Sequence, residues 1–308
     1  MSRSCRLNSP TQSKQQGGIN ARFVDHVGLT DWEGTLSFNA HFAGPLMTML
    51  LINNAILLLV VILLLWLCSI KAADVTFIDT FWPLGMVMLA GSTFIQAQGS
   101  EDRKLLILVL TALWGFRLGA HLFTRWMAEG RDPRYQRILG KSMEQNKWSF
   151  AKAALLNVFL TQAPLLFIVC LPAQLGQVSA EPAELGWLAA AGAVIAIIGI
   201  SFETVGDWQL KQFRDNSANA GTVLNTGLWR FTRHPNYFGD ACTWWGIWLI
   251  AAETTAGFWT FIGPALLTWT LMKWSGVPLL EYSLKKRRPG YEDYIRKTSS
   301  FFPWPPKP

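Results

Sequence analysis

The sequence predicts an all-α protein, a polytopic membrane helix bundle with about seven transmembrane helices. Three observations lead there. Of 308 residues, 51% are hydrophobic and only 15% are charged, with 16 Trp and 19 Phe; soluble domains carry about a quarter charged residues. The apolar residues gather into runs long enough to cross a bilayer, which takes about 20 residues. The Lys and Arg residues keep to alternate loops. Segments 127–149 and 207–237 and the chain from Lys273 onward hold five, four and eight of them, and 173–184 and 253–256 hold none. That asymmetry puts the three basic segments on the cytosolic side and the N-terminus outside. Arg3, Arg6, Lys14 and Arg22 run against it, but long tails obey the rule poorly.

Residues 1–44 read as a polar N-terminal tail with a short interfacial segment near Phe38–Phe42, and 45–308 as one transmembrane domain with cytosolic loops and a C-terminal tail. Leu46–Ile70 is the first span, and Asn53-Asn54 inside it is expected to make a helix–helix contact. Asp74–Gln98 is the second, with Asp74 as its N-cap. Asp79 falls inside this apolar run, where an ionisable group needs a cavity or a partner. It reads either as a site acid or as a carboxylate paired with a basic loop residue. Lys104–Trp126 is the third span. Trp114, Arg117, His121 and Arg125 recur at three and four residues and share one face. Arg117 and His121 need partners there, and Asp79 is one candidate. The fourth span, Phe150–Leu171, is broken near its middle by Pro164.

Leu185–Gly206 is the fifth span and runs into Glu203, Asp207, Lys211 and Arg214, one stripe of a helix leaving the membrane. The stripe reads as part of a site or as solvated ion pairs. Tyr237–Ala252 is a short sixth span and Gly257–Leu280 the seventh. The tail then carries Glu281, Tyr282, Lys285, Lys286, Arg287 and Arg288, and ends in a rigid apolar stretch from Phe301 to Pro306 that is expected to rest at the interface.

The densest polar chemistry lies at Trp229-Arg230-Phe231-Thr232-Arg233-His234-Pro235-Asn236-Tyr237-Phe238-Gly239-Asp240. Pro235 suits the first position of a helix, and the residue before a proline is pushed toward extended backbone. Arg233 and His234 therefore belong to the turn leading into the helix, and Asn236 and Asp240 share its first face. A helix N-terminus with guanidinium groups beside it suits an anion. Arg214, Arg230, Arg233, Lys285, Arg287 and Arg288 would serve phosphates. Asp207, Asn236 and Asp240 would hold ribose hydroxyls or an amide, and Tyr237 and Tyr282 would stack on a base. No G-x-G-x-x-G or P-loop is present, so such a site would not be a Rossmann fold. The cysteines and histidines are too scattered for a metal centre, and no metal is expected. Nucleic acid is excluded by the lack of a basic soluble domain.

These residues carry a resemblance. The string 229–240, with Gly276-Val277-Pro278-Leu279-Leu280-Glu281, Arg288-Pro289-Gly290-Tyr291, Asp74-Val75-Thr76-Phe77-Ile78-Asp79-Thr80-Phe81-Trp82 and Arg131-Asp132-Pro133-Arg134-Tyr135, resembles the bacterial membrane family related to steroid 5-alpha-reductases over roughly residues 50–305. The Arg-His-Pro-x-Tyr core is shared with isoprenylcysteine carboxyl methyltransferases and sterol reductases. The resemblance implies a multi-pass oxidoreductase, in a bacterial inner membrane, whose cytosolic site takes NADPH and delivers its hydride to a double bond conjugated to a ketone. The second reactant would be a lipid-soluble small molecule reached through the membrane lipids.

It also implies roles. Asp207 and Arg214 fall on the family's nucleotide-holding Asp and Arg, and Glu203 stands where the family has Asn. Asn236 and Asp240 match a second nucleotide-holding pair. In the better-known reductases a Glu and a Tyr polarise the substrate ketone. Asp79 stands in for the Glu, but the Tyr is replaced by Trp114, and an indole is no acid of this kind. The proton would then come from Asp79 or His121. The implied cofactor residues are Asp207, Arg214, Arg230, Arg233, His234, Asn236, Tyr237, Asp240, Glu281, Tyr282, Lys285 and Arg287. The competing reading is an S-adenosylmethionine-dependent methyltransferase, with the Arg-His-Pro-x-Tyr turn on the cofactor's carboxylate and Glu281 facing its amine. A lipid-binding or scaffolding protein is a third. The oligomeric state is not legible.

Overall fold

The computed structural model describes residues 44–274 and 276–308, so the expected tail and its interfacial segment lie outside the described residues. The described residues form an all-α bundle without a named strand. Five helices are long and apolar enough to cross a membrane: α1 (Pro45–Ala72), α2 (Ile78–Gln96), α3 (Glu101–Glu129), α5 (Phe150–Val169) and α7 (Trp187–Asp215). Between α3 and α5 lies α4 (Pro133–Asn146), and between α5 and α7 the short α6 (Leu171–Leu175). Then follow α8 (Pro235–Ala251), α9 (Ile262–Trp269), α10 (Val277–Arg287) and α11 (Tyr291–Lys297). The chain is a multi-pass membrane protein, and exposed apolar side chains such as Leu59, Leu64, Val109, Phe116, Val194 and Ile198 give α1, α3 and α7 their contact with lipid.

α1 starts on Pro45 and ends where Ala73 turns left-handed, its N–H donating to the Ile70 carbonyl and the Asp74 N–H to that of Ser69. At 1.5 Å per residue it is roughly 42 Å long, enough to cross with tilt. Its asparagines do join helices: Asn54 Nδ2 donates to Thr93 Oγ1 (2.8 Å) and Gln174 Oε1 (3.0 Å), and Asn53 to Gln96 (2.8 Å). The second helix begins four residues later than expected. Asp74 closes a turn instead, its Oδ1 accepting from the Thr76 backbone N–H (2.9 Å) and hydroxyl (2.7 Å), and Phe77 is the N-cap. In α5 the break comes before the proline, as a π-turn over Leu155–Phe159, while the helix continues through Pro164.

The sixth and seventh expected spans are the least regular. α8 has 17 residues, about 25 Å, and is buried along much of its length. The seventh is divided: α9 passes into a π-turn over Thr270–Trp274 before α10 starts at Val277. Gly276 and Pro278 separate the two pieces, since a proline cannot continue the preceding hydrogen-bond ladder.

α7 and α8 pack closely because glycines face glycines. A Cβ on Gly199 would stand 2.5 Å from the Thr243 nitrogen and 2.6 Å from the Gly239 carbonyl oxygen, and one on Gly246 2.5 Å from the Ala196 nitrogen. Small residues of this kind let membrane helices approach backbone to backbone. The seam fixes Glu203 and Asp207 of α7 against Asp240 of α8.

Candidate functional site

Four polar groups lie at or near the ends of the spans that carry the basic loops. The first is inside the bundle. Trp114, Arg117 and His121 of α3 face Glu203 and Asp207 of α7. Arg117 pairs with Asp207 Oδ2 at 2.7 Å through Nη1, and Nη2 pairs with Glu203. Trp114 Nε1 donates to Glu203 Oε2 (3.1 Å), lies beside the Asp240 carboxyl, and its ring meets Trp244 edge to face at 5.2 Å. His121 Nε2 is 3.9 Å from Asp207. Asp240 is 8% exposed, and its Oδ1 has no hydrogen-bond partner. The partners of Arg117 are thus Glu203 and Asp207; Asp79, the sequence candidate, is engaged elsewhere. The stripe of α7 divides, with Glu203 and Asp207 buried and Lys211 pairing with Asp215 outside (2.5 Å).

The second group is a guanidinium rim. Arg214 Nη1 is 3.3 Å from Glu129, and Arg125, Arg287 and Arg288 are close enough for their charges to act on it. Arg288 also donates to the Thr222 carbonyl (2.5 Å) and Arg287 to Ser283 Oγ (2.7 Å). Arg117, Arg125 and Arg214 are near enough for their charges to act on His121, which itself lies 3.9 Å from Asp207, so the rim is linked to the buried acids through His121.

The third group closes on itself. Arg233 Nε donates to Glu281 Oε1 (2.7 Å), and its Nη1 donates to the Ile295 carbonyl (3.1 Å) and the Thr298 carbonyl. His234 Nε2 is 3.1 Å from the same Glu281 oxygen. A carboxylate oxygen only accepts, so this contact requires the proton on Nε2. Tyr237 stacks on the His234 ring, centroids 5.4 Å apart. Around them, Thr232 donates to Phe301 (2.8 Å), Arg233 N–H to Ser299 (2.9 Å), Trp304 N–H to Phe231 (2.9 Å) and the Tyr294 hydroxyl to the Trp229 carbonyl (2.5 Å). Burial opposes charge on Glu281, but His234 and Arg233 outweigh it and hold the carboxyl below its ordinary range. Burial pushes His234 down, more than Glu281 pulls it up. The turn leading into α8 is as expected, but its arginine and histidine hold the C-terminal segment.

The fourth group was not legible as a unit. Asp79 accepts from the Tyr135 hydroxyl at 2.5 Å and pairs with Arg134 at 2.8 Å. Arg134 also donates to Asp132 Oδ2 (2.9 Å). Tyr135 is 8% exposed; burial first, and then the Asp79 charge, push its phenol well above its ordinary value. The signal for Tyr135 was present in Asp132-Pro133: Asp132 caps α4 by accepting from the Arg134 N–H (2.7 Å), and Pro133 takes its first position, which aims residue 135 at the bundle. Within the third span itself the corresponding position holds Trp114. The charges of Asp79, Arg134, Arg125 and Asp240 all reach the Tyr237 hydroxyl, which places the fourth group beside the first.

The remaining sequence candidates are dispersed. Asn236 Oδ1 accepts from the Tyr237 N–H (3.1 Å). Arg230 lines an open cleft of about 530 Å³ with Gly221, Thr222, Asn225, Gly290 and Lys297. Tyr282 is exposed and meets Lys286, whose ammonium lies 4.2 Å above its ring. Lys285 is exposed.

No solved structure matches the chain. It is 22% identical over 270 residues, 78% of this chain and 75% of the other, to the uncharacterized protein C594.04c of Schizosaccharomyces pombe. A family model described as "Protein of unknown function (DUF1295)" matches residues 65–298. With its membrane bundle and a match that runs from the end of α1 to the end of α11, the chain belongs to the DUF1295 family.

Proposed function

We propose that the protein is a membrane-embedded, NADPH-dependent reductase of a lipid-soluble enone, related to the steroid 5-alpha-reductases. The observation that carries this reading is the guanidinium rim of Arg125, Arg214, Arg287 and Arg288, with Glu129 as the carboxylate bonded to Arg214, bordering buried acids. A rim of that composition suits phosphates. The buried Asp240 oxygen without a donor suits a hydroxyl, such as one from a ribose. The residues present therefore fit the coenzyme: Arg214, Arg287 and Arg288 on its phosphates, Asp207 and Asp240 on its hydroxyls. When bound, NADPH supplies the hydride. Glu203, in the place of the family's Asn, is taken up by Arg117.

The chain's own acid would be the Asp79–Tyr135 pair. Its phenol proton, donated to Asp79 in the structure, would turn to a ketone oxygen when substrate enters. Arg134 holds the Asp79 carboxylate from its other oxygen. This arrangement replaces the phenol missing at Trp114. Arg233, His234 and Glu281 have no part in binding under this reading. No observation favours methyl transfer, since the Glu281 that an amine would need is closed onto Arg233 and His234.

The test is titration of the purified protein with NADPH, read by nucleotide fluorescence. Saturable binding is expected, with Arg214→Ala weakening it tenfold or more, about what one hydrogen bond between charged groups is worth. A fluorescence change that never saturates, or Arg214→Ala binding as tightly as the parent, overturns the reading.

A further inference from the structure

We propose that α4 and the span ends flanking it form a collar for anionic lipid headgroups. The inward face of α4 is committed. Tyr135 and Leu139 are buried, Arg134 is held by Asp79 and Asp132, and Ser142 accepts from Asn157 at 2.6 Å. The outward face is not. Arg137 and Lys141 stand one turn apart and exposed, Ile138 is exposed beside them, and Lys147 follows at the C-cap. Like charges at that spacing repel, and the single acidic residue of α4, Glu144, forms no ion pair with them. Lys71 in the last turn of α1 and Lys152 in the first turns of α5 extend the set. Among the described residues, none of Lys71, Arg137, Lys141, Lys147 and Lys152 belongs to an ion pair.

Depth decides what these cations meet. The end of α1 and the start of α5 lie side by side here, joined by Trp66 Nε1 donating to the Ala151 carbonyl (2.9 Å). Lys152 stands 4.9 Å above the Trp148 ring. Tryptophans at span ends mark the headgroup level. Cations at that level without anions of their own are complementary to the phosphodiesters of anionic lipids. Exposed Ile138 and Met143 on the same helix would reach toward the acyl chains, contacts that a soluble phosphate would not use. The collar is independent of the reductase reading.

The experiment reconstitutes the full chain in nanodiscs of mixed phosphatidylglycerol and phosphatidylcholine, then releases it and counts retained lipids by native mass spectrometry. Phosphatidylglycerol should be enriched over its input ratio, and the enrichment should fall as salt rises. Lys141→Gln alone should lower it by up to about fivefold at low salt. The variant R137Q/K141Q/K147Q/K152Q should abolish it, while neutralising Lys211, Lys285, Lys286 and Lys307 together should leave it standing. The collar is overturned if the parent shows no enrichment, if salt has no effect, or if both four-site variants lose it equally. Should the first variant fail to fold, the salt dependence and Lys141→Gln still decide. Retention of free glycerol phosphate in place of the lipid also counts against it.

Discussion

Tyr135 and Asp79 carry the acid of the proposed reaction. The phenol is buried, bonded to the carboxylate at 2.5 Å, and keeps its proton well above its ordinary range. Tyr135→Phe should lower kcat with an enone substrate by about a hundredfold or more while KM changes little, the signature of a lost proton donor. A matching rise in KM with kcat intact would demote the residue to packing. The Arg233–His234–Glu281 cluster leads elsewhere. His234 is lowered from 6.5 and Glu281 from 4.5. In each case the unfolded chain binds the proton more readily, so stability is complete above about pH 6.5 and falls on acidification, first through His234 and then, below about 4.5, through Glu281. Thermal melts of the purified protein should therefore decline between pH 7 and 5, and His234→Gln should flatten that part of the curve. Glu281→Gln, which strands a buried guanidinium, should cost about 3–5 kcal/mol and leave NADPH binding by the surviving folded protein unchanged.

At the scale of elements, the seam between α7 and α8 governs the buried acids. Gly199→Ala would push a methyl group into the backbone of the partner helix, at a cost of about 1–3 kcal/mol. Gly91→Ala, with nothing within 4 Å of the added carbon, should be neutral or slightly stabilising in the same helical context. Equal melting temperatures for the two variants would show that the seam is not under the compression described. α4 is the second governing element. It carries Tyr135 inward on one face and Arg137 and Lys141 outward on another, and Gly130 (φ 72°) and Lys147 (φ 56°) bound it at either end.

For the whole molecule, the apolar runs made the spans legible because composition alone sets them: the expected and observed limits of the first five agree to within a few residues, apart from the late start of α2 and the extensions of α3 and α7. The last two spans were harder, because α8 is short and covered by protein and the next is interrupted at Gly276 and Pro278. The sidedness of the basic loops carries over as well, since Arg214 of α7 meets Glu129 of α3 at one end of the bundle. At the other, Arg103 of α3, fully buried, donates to Ser179 (3.2 Å) and Pro182 in the loop without Lys or Arg. The site was legible as residue types and not as partnerships. Asp207 and Asp240 stand near each other across the α7–α8 seam and Arg214 pairs with Glu129, whereas Arg233 and His234 answer to Glu281 and the tail, a long-range pairing that no local spacing reveals.

That pairing has a consequence for biosynthesis. The turn before α8 leaves the ribosome some sixty residues ahead of the carbonyl oxygens of Ile295 and Thr298 that receive Arg233. Until Glu281, 48 residues beyond Arg233, has been translated, a nascent chain holds α8 with no carboxylate for the cation at its head. A chain that stops short of the C-terminal segment therefore leaves the Arg233 guanidinium without the partners it holds in the complete fold.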